Sequence, residues 1–418
     1  MCKKELLNKS KGITLISLVI TIIVLLILAG VALNSLIGST SIIENANKAA
    51  DSYNNAVEKE NTELRKIVNI IKSDGTYEEE ILNEQGYLTQ NYNYKSSTNS
   101  NLKITIPKGF ALLNASGNVV TNTQEYATIL TDANITGNGI VVKAKDGSEF
   151  VWVPVQDVTD MYWTSDTRRV GQMYFNDSGN NFGTKRTQYQ TNGGIGEATT
   201  VDADGESSNT LVSGENSDTK KAATLNKFQS EFEAMITSVQ TYGGFYVGRY
   251  ETSVINEKVK SVKTTVVDQI LRAEEYESKD QCVNNWYGLY NTAQRYASDA
   301  GVSNSVTSCM IWGCAYDQIM LWMQNNGINV KSTEMTQGNF GNDYINTGSN
   351  DSYKFNNIYD LCGNHLEWTM TSMWSGRAVR GGYKGSTGDK TAMSSSEGVG
   401  PSAQKSEATT RIQLFLKV

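Results

Sequence analysis

Apolar and polar residues follow three different rhythms along this chain. The first is an almost unbroken apolar run. Gly12-Ile13-Thr14-Leu15-Ile16-Ser17-Leu18-Val19-Ile20-Thr21 continues through Leu33, and no charged residue lies between Lys11 and Glu44. A helix from Ile13 to Leu33 would span roughly 31 Å at 1.5 Å per residue, the thickness of a bilayer's hydrocarbon core. Lys3, Lys4, Lys9 and Lys11 stand against one Glu5 ahead of the run. The positive-inside bias therefore keeps residues 1–12 cytoplasmic and places everything after residue 40 outside. The second rhythm runs from Ser41 to Lys72, where Ile42, Ala46, Ala49, Tyr53, Val57, Leu64, Ile67 and Ile71 recur at threes and fours. It predicts a second helix, either continuing the first outward or acting as a coiled-coil spacer, stopped by Ser73-Asp74-Gly75.

The third rhythm is shorter and denser. Residues 76–150 read as short strands and loops: Leu102–Pro107 and Gly139–Lys143 are strand-like, with Asp146-Gly147 as a turn. Glu149-Phe150-Val151-Trp152-Val153-Pro154-Val155 and Tyr242-Gly243-Gly244-Phe245-Tyr246-Val247-Gly248 predict buried strands. Ala222–Val239 and Ser308–Gln324 predict helices, the first with Leu225, Phe228, Phe232, Met235 and Ile236 on one face. Between them and the first strands, Phe175–Lys221 is rich in Gly, Ser, Asn, Thr and Asp. Too little apolar surface is available there to offset chain entropy, so a long mobile insertion over 175–221 is expected.

Composition narrows the function. The net charge is −7, and loss of residues 1–12 would make it −10. No basic face is available for a phosphate backbone, which argues against nucleic acid as a partner. Three prolines exclude a Pro-rich stalk. Of five cysteines, Cys282, Cys309, Cys314 and Cys362 follow the apolar run. They form no C-x-x-C, and buried thiols and disulfides both stay open. The single histidine, His365, leaves little for a His-ligated zinc site or a Ser-His-Asp triad. Carboxylate-only catalysis has ample Asp and Glu, but no pair is singled out.

Two stretches carry resemblances. Lys11-Gly12 followed by Ile13-Thr14-Leu15-Ile16 resembles the class III leader of type IV prepilins and pseudopilins. That resemblance implies cleavage between Gly12 and Ile13 by a prepilin peptidase, methylation of the new N-terminus, and other pilins as partners. The family's usual Glu at the fifth mature position is Ser17 here, which favours a minor or tip subunit over a shaft subunit. An ordinary secretory signal peptide and a plain membrane anchor are the competing readings.

Asn357-Ile358-Tyr359-Asp360-Leu361-Cys362-Gly363-Asn364-His365-Leu366-Glu367-Trp368, then Arg377-Ala378-Val379-Arg380-Gly381-Gly382-Tyr383 and Arg411-Ile412-Gln413-Leu414-Phe415, form the second. Together with Gly244-Phe245-Tyr246-Val247-Gly248-Arg249-Tyr250-Glu251 they resemble the formylglycine-generating-enzyme/sulfatase-modifying-factor family. The resemblance implies a C-type-lectin-like fold, shared with variable ligand-binding proteins of diversity-generating retroelements. It also implies structural calcium held by Asp360, Gly363, His365 and Glu367. The alternative from the residues themselves is that Asp360 caps a turn and Glu367 pairs with an Arg such as Arg380. The family's oxidase chemistry needs two copper-binding cysteines after the Arg-Gly-Gly motif; the matching positions hold Ser386 and Thr391, which points away from an enzyme.

The expected fold class is α+β: a long N-terminal membrane and pilin-type helix, then an irregular C-type-lectin-like domain. The expected layout is a leader at 1–12, the extended helix at 13–74, a linker at 75–99 and the domain at 100–418. The expected function is a single-pass, surface-displayed protein binding an extracellular glycan or protein through Lys384, Ser386, Asp389, Lys390 and Glu397. A sulfatase-modifying-type enzyme is the alternative.

Overall fold

The computed structural model describes residues 20–26, 52–53, 56–57, 59–60, 81–161, 218–256, 258–263, 285–373, 376–400, 403 and 407–418. The chain divides into two compact units, 1–79 and 80–418. In the first, residues 20–26 are helical, as are 52–53, 56–57 and 59–60 of the expected second helix. Ile20, Ile22, Ile23, Val24, Leu25 and Leu26 are between 48% and 68% exposed. No helix among the described residues is long and apolar enough to cross a membrane. The expected cleavage site Gly12-Ile13, Ser17, and residues 175–217 of the expected insertion lie outside the described residues.

The second unit is α+β and rich in sheet. It opens with a hairpin, β1 (Tyr92–Lys95) against β2 (Lys103–Ile106), then β3 (Phe110–Leu112). Helix α1 (Thr123–Ile129) starts where Asn122 Oδ1 accepts from the Glu125 N–H at 2.8 Å, and α2 (Asp132–Thr136) starts at Thr131 in the same way. Next come β4 (Val141–Ala144), β5 (Glu149–Pro154), helix α3 (Asp218–Tyr242), β6 (Gly244–Gly248) and the small hairpin β7 (Ser253–Ile255) and β8 (Lys258–Lys260). Helix α4 (Trp286–Asp299), β9 (Val306–Met310) and helix α5 (Gly313–Asn325) follow. The C-terminal part holds β10 (Lys354–Phe355), β11 (Ile358–Tyr359), β12 (Leu366–Met373), β13 (Gly376–Arg380), β14 (Ser396–Val399), β15 (Ala408–Thr410) and β16 (Ile412–Leu416).

Two sheets organise these strands. An antiparallel six-stranded sheet runs β3-β4-β5-β6-β16-β9, and a four-stranded sheet runs β14-β13-β12-β15, with β12 and β15 parallel. Side chains alternate across a strand, so β5 feeds two cores at once. Phe150 and Trp152 pack with Ile104, Tyr126, Tyr246 and Tyr296 on one face. Val151 and Val153 pack with α3, α5 and the β12 side chains Trp368 and Met370 on the other. A strand covered on both faces needs continuous apolar sequence, which is why residues 149–155 carry it.

Three expectations change. The linker drawn at 75–99 is largely part of the second unit, because Leu82 bridges Leu88 and β1 pairs with β2. The helix expected from Ser308 begins at Gly313. Ser308, Cys309 and Met310 instead pair with Leu414, Gln413 and Ile412, so sheet pairing overrides the apolar spacing. The helix expected from Ala222 already runs from Asp218, inside the drawn insertion.

The buried sandwich around β5 sets a test. Trp152 is fully buried and packs edge-on against Tyr246, whose hydroxyl donates to the Thr105 carbonyl at 2.9 Å. Trp152→Ala should lower the unfolding free energy of the full chain by about 3–5 kcal/mol, and Tyr246→Phe by about 1 kcal/mol. Urea unfolding followed by circular dichroism measures both. A Trp152→Ala loss no larger than that of Tyr246→Phe would contradict the two-core arrangement.

Candidate functional site

The C-terminal signature folds into a buried knot of charge. Gly363 has φ +78°, and a Cβ there would lie 2.6 Å from the Asn339 carbonyl oxygen, so the turn requires glycine. Asp360 and Asn364 on either side also adopt left-handed backbone, with φ +54° and +61°. This geometry turns Asp360, Asn364 and Glu367 inward together with Glu251, which follows β6. All four side chains are buried.

Each carboxylate is partly satisfied. Asp360 Oδ2 accepts from the Gly348 N–H at 2.7 Å and the Thr347 hydroxyl at 2.9 Å. Glu251 accepts from Asn364 Nδ2 at 2.7 Å and from the His365 backbone N–H at 3.1 Å. Glu367 Oε1 accepts from Arg411 Nε at 2.9 Å and also from Arg411 Nη2. Asp360 Oδ1 and Glu367 Oε2 have no hydrogen-bond partner among the described residues. Burial, then the neighbouring Glu251, pushes the Asp360 carboxyl up to about 7. Burial also raises Glu367, opposed by Arg411. Three buried carboxylates against one guanidinium call for a proton or a further cation.

The expected calcium residues are thus brought together in part. Asp360 and Glu367 share the knot, and each keeps one buried oxygen with no hydrogen-bond partner among the described residues. Glu367 is also taken by a guanidinium, and that partner is Arg411. Arg380 turns instead to Asp317 at 2.9 Å and stacks over Tyr316, 4.3 Å from its ring centroid. His365 is buried, its Nδ1 3.5 Å from Glu251 Oε2, and its ring stacks on Tyr344 at 4.2 Å. Among the described residues no three His, Cys, Asp or Glu side chains are grouped as metal ligands.

Above the knot lies a cleft. It is a shallow depression lined by Leu366, Val379, Gly382, Tyr383, Ser386, Lys390, Ser395 and Glu397. Three of the five expected ligand residues line it: Ser386, Lys390 and Glu397. Lys390 Nζ pairs with Glu397 Oε2 at 3.1 Å. Lys384 turns away, donating to the Asn342 carbonyl at 2.8 Å with its ammonium over the Tyr344 ring. Asp389 contributes backbone to the turn Gly388–Thr391. Gly382 closes the wall with φ +72°, and a Cβ there would overlap the Lys390 carbonyl.

The positions matched to the family's copper cysteines are structural here. Ser386 Oγ accepts from the Tyr383 N–H at 3.0 Å, and the buried Thr391 hydroxyl donates to the Thr333 carbonyl at 2.8 Å. Cys309, Cys314 and Cys362 are buried, and Cys362 Sγ donates to the Thr391 carbonyl at 3.1 Å. Away from the knot, the half-buried carboxylate of Glu231 accepts from Gln294 Nε2, Trp312 Nε1 and the Tyr290 hydroxyl, a set that reads as structural. Sequence reasoning did not assign roles to Glu251, Arg411 or Tyr344. Glu251 and Arg411 carry a signal, being charges inside otherwise apolar, strand-like runs. Tyr344 sits in a polar loop with none.

No protein-family model matches the chain, and no curated protein matches it. Solved structures overlap it at low similarity. The Major Tropism Determinant U1 variant is 11% identical, with 42% of this chain and 51% of that one covered and a TM-score of 0.29. PvdO from Pseudomonas aeruginosa is 12% identical, covering 42% and 82%, with a TM-score of 0.27. Treponema denticola variable protein 1 is 11% identical, covering 77% and 98%, with a TM-score of 0.23. The chain spans about half the length of the tropism determinant. Scores this low carry no argument about fold or function.

The knot has a pH signature. Asp360 titrates near 7 in the folded chain and near 4 when unfolded. The folded state therefore holds the extra proton between those values. The contribution to stability is fully present below about pH 4 and is lost as pH rises through about 7. In chelator, where no cation can hold the carboxylate, melting curves of the full chain and of Asp360→Asn between pH 4 and 8 should diverge, with the variant gaining relative to the parent as pH rises. Parallel curves in chelator would mean that Asp360 does not hold the extra proton, and added calcium that leaves the melting temperature of the parent unchanged would argue against a cation at this carboxylate.

Proposed function

We propose that this is a membrane-anchored, surface-displayed binding protein whose second unit presents the Tyr383–Glu397 cleft to an extracellular ligand, and that it does not catalyse a reaction. The observation that carries the reading is the cleft itself. It is lined from β12, β13 and β14 and from the segment between β13 and β14, and Ser386, Lys390 and Glu397 contribute to it. Recognition usually sits on such loops held by a rigid framework. None of the lining residues is a thiol or histidine, and the positions corresponding to the copper cysteines are Ser386 and Thr391. The finer fold, a C-type-lectin-like domain of the sulfatase-modifying-factor type, belongs to the same proposal. So does a structural calcium ion at the unpartnered oxygens of Asp360 and Glu367.

The anchor half of the proposal rests on the charge-free run from Gly12 to Ile43 and on the exposed apolar helix at residues 20–26. Residues 1–12 act as a prepilin-type leader, so prepilin peptidase and other pilins are partners, and the protein sits in the cell membrane with its C-terminal unit outside. Intact-mass analysis of membrane-extracted protein should give an N-terminus at Ile13, methylated. A start near residue 38 would assign ordinary signal peptidase and end the pilin reading.

Binding is tested with the detergent-solubilised full chain on glycan and surface-protein arrays. Hits should appear and be lost in the double variant Lys390→Ala/Glu397→Ala, with the melting temperature unchanged. A parallel incubation with copper, oxygen and a cysteine-containing sulfatase peptide should leave the peptide intact. Conversion of its cysteine to an aldehyde would overturn the binding reading in favour of a sulfatase-modifying enzyme.

A further inference from the structure

The amphipathic rhythm that follows the apolar run is used by neither the cleft nor the knot. Written as a heptad abcdefg, it places Ile43, Ala50, Val57, Leu64 and Ile71 at a, and Ala46, Tyr53, Glu60 and Ile67 at d. The repeat runs without a skip from residue 43 to residue 71, and Glu60 alone among its a and d residues is charged. The other charged residues between Ile43 and Lys72 fall at b, c or f, except Glu63 at g. A strict repeat of about 3.5 residues keeps one narrow seam facing a partner helix turn after turn and imposes a left-handed supercoil. Three successive seam positions are described: residues 52–53, 56–57 and 59–60 are helical, Tyr53 is 70% exposed, Glu60 is exposed and Val57 is half-buried.

What fits such a seam is a helix of the same period, and three features select a second copy of this chain. An identical helix in register matches every a layer with a and every d layer with d. Glu63 is the one charge at e or g, and in a parallel pair it faces Val68 at e of the other helix, so no like charges meet along the flanks. The apolar run ends at Leu33, ten residues before Ile43, so anchoring in one membrane holds two copies parallel and level. Strand number follows from the a positions. Ile43, Val57 and Ile71 are β-branched there, a choice that favours two strands. Glu60 brings two carboxylates into one d layer. A single polar layer of this kind fixes register at a cost in stability.

We infer that two copies of this chain associate through residues 43–71 as a parallel, in-register coiled coil, with Tyr53, Val57 and Glu60 each facing its counterpart. The parallel register rests on the anchor proposed above, and the seam is independent of the cleft.

The test introduces single cysteines into the full chain in membranes, which are then oxidised with copper phenanthroline. Tyr53→Cys and Val57→Cys lie on the seam, and Asn55→Cys and Thr62→Cys lie at f. The expected result is a disulfide-linked species of twice the chain's mass from each seam variant, with both f variants at the parent's background. In detergent, sedimentation should show Glu60→Leu tightening self-association about tenfold or more, because the charged layer is gone. Equal cross-linking at seam and f positions, or none at the seam, would overturn the inference, as would Glu60→Leu that leaves self-association unchanged or weakens it. The anchor is read separately, by washing the membranes with carbonate. Seam cross-linking in a chain that carbonate releases would keep the dimer and end the anchor. A chain retained in the membrane without seam cross-linking would end the dimer and keep the anchor.

Discussion

Arg411 is the residue on which the C-terminal architecture turns. It stands alone between β15 and β16, the point where the chain leaves the four-stranded sheet and enters the six-stranded one. Its guanidinium donates to Glu367 of β12, to the Gly248 carbonyl of β6 at 2.9 Å and to the Tyr359 carbonyl at 2.9 Å. A guanidinium carries five donors in a fixed planar fork, so one side chain ties both sheets and the Tyr359–Asp360 turn together. Arg411 is fully buried and Glu367 nearly so. Such a pair is weak evidence for stability in itself, but removing one partner strands the other charge and costs about 3–5 kcal/mol. The arrangement therefore acts less as glue than as a specification of which strands lie where.

The same knot sets the cleft. Gly363 N–H donates to the Gly381 carbonyl at 2.8 Å, and Lys384 N–H donates to the Asn364 carbonyl at 3.0 Å. Arg380, held by Asp317, donates from Nε to the Ser395 carbonyl at 3.2 Å. Cys362 reaches the Thr391 carbonyl. The segment from Tyr383 to Glu397 is small and polar, with few apolar side chains of its own to fix it. Its order is borrowed from buried groups beneath: Arg380 and Cys362 each pin one of its backbone carbonyls, and the Asn364 carbonyl holds the Lys384 N–H.

How much of this was legible in the sequence depends on the range of the interaction. β5 and β6 were readable because burial on both faces demands continuous apolar sequence, and residues 149–155 and 244–247 supply it. The turn at Asp146-Gly147 was readable because it is local. The stretch from Ser308 misled because its apolar residues run on into Trp312, which falls four and seven residues before Tyr316 and Ile319, while pairing with β16, about a hundred residues away, makes Ser308–Met310 a strand. No window around residue 308 contains that partner. The knot divides in the same way. Asp360, Gly363 and Glu367 stood out within one motif. Glu251 and Arg411, which complete it, lie 109 residues before Asp360 and 44 after Glu367, and only the fold brings them in.

Charge is used in two ways, and the difference bears on how the surface can change. Arg377, Arg380 and Arg411 are buried, each committed to backbone carbonyls, a carboxylate or an aromatic face. Replacing any one of them alone leaves a buried group without its counterpart. Lys390 and Glu397 are exposed, contact each other, and hold no strand in place. Substituting them changes the charge of the cleft without disturbing what holds it, because exposed charges away from packing change stability little. Burial thus separates the charges that define the scaffold from those that lie at its surface. Leu366, Val379, Gly382 and Tyr383 of the signature motif line the cleft as well, so only its exposed charges can be exchanged without touching the motif.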